Sequence, residues 1–315
     1  MGLFERIKSI PAGLVIIPVA IGALINTFCP HILDIGDPTN ILFTKRGMLA
    51  FTGMLLFFTG TQLKLSEIKK LAKRGLPFWL FKIALTYLIG FLFIKIFGLN
   101  GLWGISALAF CASMASCNAV LFLGIIQPYA DSVDYGLFTF MMLFSMPVMP
   151  VLFLSSAGGG SINWLSIISV LVPFFFGLLI GNSDEKFRSY FSQGTNVVMP
   201  LTGFQFGSCL DLRYAVFEIP RGLLLTVVFY LLSLAPMFFF DRKILKRPGY
   251  CGLASCSVAG ITLSIPVLVS EGTSLYAPYV DSAMSQIAII MFITTFVTPF
   301  LTHFVAEKLK VSKNS

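Results

Sequence analysis

Hydrophobic residues recur along the whole chain in long runs that short polar segments separate. Most of these runs contain the ~20 residues that a helix needs to cross a hydrocarbon core of about 30 Å. They lack the period-two alternation of barrel strands, and only helices or closed barrels satisfy backbone polar groups in lipid. The pattern therefore predicts an all-α integral membrane protein with ten transmembrane helices. The ten runs are residues 11–28, 47–63, 76–97, 102–126, 136–154, 164–182, 196–210, 221–240, 250–270 and 279–304.

Composition agrees with a membrane protein, because 57% of the 315 residues are hydrophobic and only 11% are charged. A soluble domain carries about 25% charged residues. The first residues, "MGLFERIKSIPAG", lead directly into the first run without a small-residue cleavage site, so we expect no removable signal peptide.

The distribution of basic residues predicts the orientation in the plasma membrane. Sixteen of the 22 Lys and Arg residues fall on the side that carries the N-terminus, which predicts that both termini are cytoplasmic. The net charge of +8 thus reflects membrane topology, and we expect a lipid bilayer and not nucleic acid as the partner. The sixteen are Arg6, Lys8, Lys64, Lys69, Lys70, Lys73, Arg74, Lys186, Arg188, Arg242, Lys243, Lys246, Arg247, Lys308, Lys310 and Lys313.

Motifs for enzyme chemistry are missing from the sequence. The six cysteines form no CxxC pair, the two histidines form no HExxH, and no Gly-rich phosphate loop occurs. Cysteines inside the runs, such as Cys111 and Cys256, are interpreted as small residues at helix contacts. We expect no catalytic residues, no metal and no cofactor.

Two halves of the chain resemble each other in the same order, which predicts an internal repeat. "GTQLKL" (60–65) resembles "GSCLDL" (207–212), the "RG" at 74–75 recurs at 221–222, and "PYAD" (128–131) returns as "PYVD" (278–281). The predicted units are residues 1–157 and 164–315, joined by a Gly-rich linker at 158–163. Five runs per unit force the two halves into opposite orientations, as in inverted-repeat secondary transporters.

The fourth and ninth runs each contain small polar residues at the centre, where a membrane helix is otherwise apolar. "CASMASCNAVLF" in run four and "CSVAGITLSIPVL" in run nine occupy equivalent positions in the two repeats. Ser264 before Ile265 and Pro266 resembles a helix start, and Ser116 is its counterpart. Two interrupted helices would expose positive helix ends at mid-membrane and attract an anion. The alternative is that small residues here only permit close helix packing.

These residues give a first set of substrate-binding candidates. Lys82 lies about 10 Å inside run three and either extends to the membrane surface or takes part in carboxylate binding or proton coupling. Asp131, Asp134, Glu271 and Asp281 are expected to be solvated loop charges. The substrate-binding candidates are Ser113, Ser116, Asn118, Gly260, Thr262 and Ser264, with Gln62, Gln205 and Ser208 near the ends of runs two and seven.

Several segments resemble a known family, the 2-keto-3-deoxygluconate permeases, which belong with the bile acid:sodium symporter-like transporters. The similarity follows the same order through nearly the whole chain. The segments are "IPAGLVIIPVAIGALINTF" (10–28), "FFTGTQLKLS" (57–66), "FKIALTY" with Lys82 (81–87), "GNSDEKFRSYFS" (181–192), Asp211 with Leu212, and "IPVLVSE" (265–271).

The resemblance implies two inverted five-helix repeats that form a panel and a core domain, with discontinuous helices four and nine crossing at the substrate site. By position it adds Ser255 and Ser257 to Asn118 and Gly260 in the crossing motifs. It implies uptake of a small organic anion, 2-keto-3-deoxygluconate or a related sugar acid, driven by H+.

Two acidic residues of the family pattern are replaced in this chain, by Ala115 and Phe144. This favours Na+ as an alternative coupling ion and another carboxylate as an alternative substrate. A passive channel or a membrane receptor is the alternative from another class of protein.

Overall fold

A computed structural model describes residues 2, 6, 13–157 and 164–309. The described chain is helical and contains no strand, only an isolated bridge between Leu102 and Ile105. The helices are α1 (Gly13–Phe28), α2 (Thr39–Phe43), α3 (Met48–Gln62), α4 (Leu65–Phe97), α5 (Ala107–Met114), α6 (Ala119–Ile126), α7 (Ser132–Phe144), α8 (Val148–Ala157), α9 (Trp164–Ser183), α10 (Glu185–Phe191), α11 (Gly194–Ser208), α12 (Leu212–Phe229), α13 (Ala235–Phe239), α14 (Tyr250–Ala254), α15 (Ile265–Gly272) and α16 (Val280–Lys308).

Among the described residues, three helices are long and apolar enough to cross a membrane: Ala72–Phe97, Leu212–Ile244 and Ser274–Lys308. Two bent pairs, α5 with α6 and α7 with α8, bring the number to five if each pair is one span. The protein is thus all-helical and multi-pass. Each of the ten predicted runs lies on helical segments, and the crossing of the membrane by all ten stays a prediction. The proposed linker at 158–163 lies outside the described residues.

Helices α4 and α12 begin before their apolar runs. The third predicted run starts at residue 76, but α4 begins at Leu65. The eighth run starts at residue 221, but α12 begins at Leu212. Asp211 accepts a hydrogen bond from the Arg213 amide at 2.8 Å and so caps α12. The cap, and not hydropathy, therefore marks where α12 begins.

Helices α1, α3, α9 and α11, here called the four-helix group, pack through glycines. Helix α1 lies against α11, and α3 lies against α9 and α11. A Cβ at Gly22 of α1 would lie 2.2 Å from the Phe204 carbonyl oxygen of α11, and one at Gly60 of α3 would lie 2.2 Å from the Phe174 oxygen of α9. Only glycine permits these backbones to approach so closely.

Helices α4 to α8 and α12 to α16 are here called the broken-helix group. Here α12 packs on α16, α4 packs on α7, and the short helices α5, α6, α14 and α15 lie among them. Two interruptions, at residues 115–118 and 255–259, separate α5 from α6 and α14 from the turn before α15.

A buried cluster of charged side chains joins α4, α7 and the helical segment that follows α13. Arg74 pairs with Asp134 and, at 3.1 Å, with Asp241, and Arg247 lies 3.0 Å from Asp134. The expectation that Asp134 is a solvated loop charge is wrong, because its side chain is only 1% exposed. The two arginines compensate the burial of its carboxylate. The other three acids, Asp131, Glu271 and Asp281, are exposed.

Candidate functional site

The two helix interruptions contact each other inside the broken-helix group. The Ser116 and Thr262 hydroxyl oxygens lie 2.6 Å apart, and Ser116 also accepts a hydrogen bond from the Ala259 amide at 2.9 Å. In return, the Ser257 hydroxyl accepts a hydrogen bond from the backbone amide of Asn118 at 3.3 Å. Each interruption therefore supplies polar partners for backbone groups that the other has released from a helix.

Helix α6 begins two residues later than the sequence suggested. Its N-cap is Asn118, whose side-chain oxygen accepts from the Leu121 amide at 3.0 Å. Ser116, which we expected to start this helix, lies in the interruption and binds the other break instead. Asn118 is the cap because its own backbone is extended, with φ −86° and ψ 93°, and its side chain reaches the first turn of α6.

The second interruption is followed by a 3₁₀ turn, Gly260–Ser264, and only then by α15, which begins at Ile265. The α-helix thus begins where expected, but the helical segment starts five residues earlier, at Gly260. Ser264 does not cap it, because its hydroxyl donates to the Ile261 carbonyl at 2.7 Å. Pro266 in the first turn of α15 lacks an amide hydrogen, as suits a helix start.

Side chains from neighbouring helices satisfy other backbone groups of the two breaks. Thr86 donates to the Met114 carbonyl at 3.2 Å, Ser145 donates to the Cys117 carbonyl, and Thr298 donates to the Cys256 carbonyl at 2.7 Å. Thr294 accepts from the Val258 amide at 3.0 Å. The irregular backbone is therefore held in a defined conformation within an apolar surrounding.

Lys82 is also part of this network. Its ammonium group donates to the Ser255 carbonyl at 2.9 Å, and the residue is only 2% exposed. The side chain does not extend to the membrane surface, so the first of the two interpretations of Lys82 is wrong. The carbonyl at the end of α14 holds it inside the protein.

A cavity of about 360 Å³ lies between the breaks and the four-helix group. Asn118, Ala119 and Val120 of α6 and Ala259 and Gly260 of the second break form one wall. The first amides of a helix have no partner within the helix and carry partial positive charge. No charged side chain lines this cavity among the residues that the structure describes. The rest of the lining is Val15, Leu55, Leu56, Thr59, Cys117, Leu121, Gly124, Met142, Ser145, Met146, Thr195, Met199, Thr202, Gly203, Phe206 and Ile261.

The wall from the four-helix group offers hydrogen-bond acceptors. Thr59 donates its hydroxyl hydrogen to the Leu55 carbonyl at 2.7 Å, and Thr202 donates to the Val198 carbonyl at 3.0 Å. Their oxygen lone pairs stay available to a ligand donor. The cavity therefore has positive helix ends on one side and hydroxyl acceptors on the other.

The predicted site residues fall into distinct places. Asn118 and Gly260 line the cavity, whereas Ser116, Ser257 and Thr262 hold the crossing together behind it. Ser113, Ser255 and Ser264 are completely buried, and the Ser255 hydroxyl donates to the Gly252 carbonyl at 2.8 Å.

Three predicted residues lie away from this cavity. Gln62 donates to the Arg188 carbonyl at 3.1 Å, and Gln205 donates to the Leu42 carbonyl at 3.2 Å. Ser208 lines a second cavity of about 460 Å³, together with residues such as Asn26, His31 and Arg46. Both glutamines join a long helix to a short one, Gln62 to α10 and Gln205 to α2, a role that their polarity alone does not distinguish from ligand binding.

Sequence reasoning missed the side chains that α11 contributes to the cavity. Thr195, Met199, Thr202 and Phe206 all line it. Their spacing of four, three and four places them on one face of a helix. This periodic row of threonine and large apolar residues is the sequence feature from which the cavity-facing side of α11 could have been predicted.

Comparison with known proteins identifies the family. The family model described as 2-keto-3-deoxygluconate permease matches residues 4–311. The "2-keto-3-deoxygluconate permease" of Bacillus subtilis is 29% identical over 319 residues, with 99% of this chain and 96% of the relative covered. "2-keto-3-deoxygluconate permease 1" of Salmonella typhimurium is 28% identical over 310 residues, with 98% and 96% covered. Permeases are membrane transporters and not enzymes. The chain belongs to the 2-keto-3-deoxygluconate permease family.

Proposed function

We propose that this protein is a secondary active transporter that imports 2-keto-3-deoxygluconate, or a related sugar acid, by proton-coupled alternating access. The observation that carries the proposal is the cavity that both helix interruptions share with the four-helix group. The names of the relatives from Bacillus subtilis and Salmonella typhimurium support the substrate.

The chemistry of the cavity suits an acyclic sugar acid. The carboxylate would lie at the amide ends beside Asn118 and Gly260, where partial positive charge stabilises an anion. The sugar hydroxyls would donate to the oxygens of Thr59 and Thr202 on the opposite wall. A volume of about 360 Å³ is within the range of small-molecule sites.

We further propose that the ten helical segments form two inverted five-helix repeats, with the four-helix group as panel and the broken-helix group as core. Reciprocal glycine contacts support this arrangement. Gly22 faces the Phe204 carbonyl oxygen and Gly207 faces that of Val19, while Gly60 faces the Phe174 oxygen and Gly177 faces that of Phe57. The second pair of contacts repeats the first, with the helices of the two halves exchanged.

Alternating access would consist of a movement of the core against the panel, with the cavity at the surface between them. We also propose that the protein lies in the plasma membrane with both termini in the cytoplasm, an orientation that the distribution of Lys and Arg residues supports. Cysteine accessibility on whole cells tests this orientation: thiol reagents that do not cross the membrane should miss a cysteine placed at the C-terminus.

Uptake by purified protein in liposomes tests the transport proposal. Labelled 2-keto-3-deoxygluconate should accumulate when the outside is more acidic, and internal unlabelled substrate should accelerate entry of external label. Such counterflow requires a carrier, so its absence would contradict alternating access and favour a channel or receptor. Accumulation that follows an Na+ gradient at equal pH on both sides would instead support sodium coupling.

A further inference from the structure

Lys82 is a buried cation at the place where the two helix interruptions meet. Its ammonium nitrogen lies 2.9 Å from the Ser255 carbonyl oxygen and 4.9 Å from the centre of the Phe144 ring. Within the described part of the chain, no carboxylate forms an ion pair with it.

A lone charge inside an apolar protein is unfavourable unless its surroundings stabilise it. Here the stabilising groups are a helix end and an aromatic ring. Ser255 follows the last residue of α14, and carbonyl groups at the end of a helix carry partial negative charge. The face of the Phe144 ring attracts a cation in the same way.

Helix α4 contacts both interruptions with residues that are four positions apart. Lys82 donates to Ser255 in the second break, and Thr86 donates to Met114 at the end of α5 in the first. Residues at this spacing lie on one face of a helix. One face of α4 therefore supplies a donor to the carbonyl end of each broken helix.

The structure places two groups at the Lys82 ammonium, the Ser255 carbonyl oxygen and the Phe144 ring. Backbone carbonyl groups at the ends of broken helices also hold Na+ in secondary transporters, and an ammonium group and Na+ carry the same charge. The chain thus places its own cation where a free cation would otherwise neutralise the carbonyl ends.

We propose that the Lys82 ammonium is a built-in cation that takes the place of a free monovalent cation at the helix crossing. Substrate binding in the neighbouring cavity then needs no Na+. The inference rests on the proposed function for the identity of the anion. Lys82 acts through the backbone of the break, as a positioning residue, and it does not touch the cavity.

The wild-type protein provides the first test. The rise in unfolding temperature that 2-keto-3-deoxygluconate causes in the purified protein is measured in sodium chloride and in choline chloride, at one pH and ionic strength. Equal rises, with apparent affinities that agree within about twofold, support the proposal. Binding that requires Na+ overturns it.

The second test replaces the charge and then restores it from solution. Lys82→Ala should bind the anion at least about tenfold more weakly in choline chloride, and methylammonium or Na+ should restore a large part of that loss. Lys82→Met fills the space and should show no restoration. Lys95→Ala is the matched control, because Lys95 lies on the same helix, 6.0 Å from the Phe91 ring centre, but is exposed.

Two further outcomes are informative. A folded Lys82→Ala variant that binds like the wild type, or that no cation restores, overturns the proposal. If 2-keto-3-deoxygluconate does not bind the wild type at all, the substrate proposal fails on its own. The unfolding temperature of Lys82→Ala without substrate then decides, since methylammonium should raise it above its value in choline and should leave the wild type unchanged.

Discussion

The Ser116 and Thr262 hydroxyl oxygens lie 2.6 Å apart and join the two interrupted helices side chain to side chain. Ser116 is 3% exposed and Thr262 is 2% exposed, so water cannot replace this contact. Because Ser116 also binds the Ala259 amide, its hydroxyl fixes both the side chain and the backbone of the second break. The shape of the cavity wall depends on this pair.

A double-mutant cycle on this pair should show strong coupling. Ser116→Ala leaves a buried amide without its acceptor and should lower the free energy of unfolding by about 1–3 kcal/mol, and Thr262→Val by about 1 kcal/mol. The double variant should lose less than the sum, by at least about 0.5 kcal/mol. Unfolding of the purified variants in detergent measures this, and strictly additive losses would mean that the two hydroxyls act separately.

Glycine packing in the four-helix group gives a prediction with an internal control. Gly60→Ala places a methyl group about where the Phe174 carbonyl oxygen lies, so it should destabilise the protein by about 1–3 kcal/mol. Gly53 is on the same helix, and a Cβ there meets no atom within 4 Å. Gly53→Ala should therefore be neutral or stabilising by up to about 1 kcal/mol. Equal unfolding temperatures for the two variants would contradict the packing described here.

The buried cluster around Arg74 predicts a severe effect of removing its charge. Arg74→Met leaves Asp134 and Asp241 without their shared partner and should cost about 3–5 kcal/mol of stability. Lys73→Met, at the exposed neighbouring position, should change stability by less than about 0.5 kcal/mol. Yield of folded protein and unfolding temperature check both, and a mild effect of Arg74→Met would show that water reaches the cluster.

The hydroxyl wall of the cavity should determine selectivity for hydroxylated acids. Thr59→Val removes an acceptor without changing the volume, so affinity for 2-keto-3-deoxygluconate should fall about tenfold, the equivalent of about 1.4 kcal/mol. Affinity for a 2-keto acid without hydroxyl groups should stay the same. Thr52→Val is the control, because Thr52 makes the same bond to its own helix, at 2.8 Å to Met48, but does not line the cavity. Competition against labelled substrate measures the affinity of each of the two variants for each of the two acids. Equal losses of affinity for both acids in Thr59→Val would show that Thr59 does not recognise the hydroxyl groups.

Much of the helix content and both interruptions could be predicted from the sequence. Long apolar runs need helices in lipid, and small polar residues such as Ser116 and Asn118 weaken a helix at its centre. The start of α6 could not be predicted, since Ser116 and Asn118 are both good caps by residue type. Ser116 binds the second break instead, and Asn118 caps the helix.

Residues whose role depends on distant partners were the ones that the sequence did not resolve. Asp134 looks like a loop acid until Arg74 and Arg247, far away in the chain, are brought beside it. Gln205 looks like a site residue until the short helix α2 is brought beside it. Lys82 had two open interpretations, and the position of Ser255, 173 residues later, decided between an exposed and a buried ammonium group.

Equilibrium binding of labelled 2-keto-3-deoxygluconate to purified Gly260 variants tests the central claim, that the helix crossing forms the anion site. A Cβ at Gly260 has its nearest neighbour, Val15 Cγ1, at 3.4 Å, so Gly260→Ala fits, whereas the longer side chain of Gly260→Leu must enter the cavity. The account predicts saturable binding by the wild type and Gly260→Ala, and at least about a hundredfold weaker binding by a folded Gly260→Leu. Unchanged affinity of Gly260→Leu would contradict it.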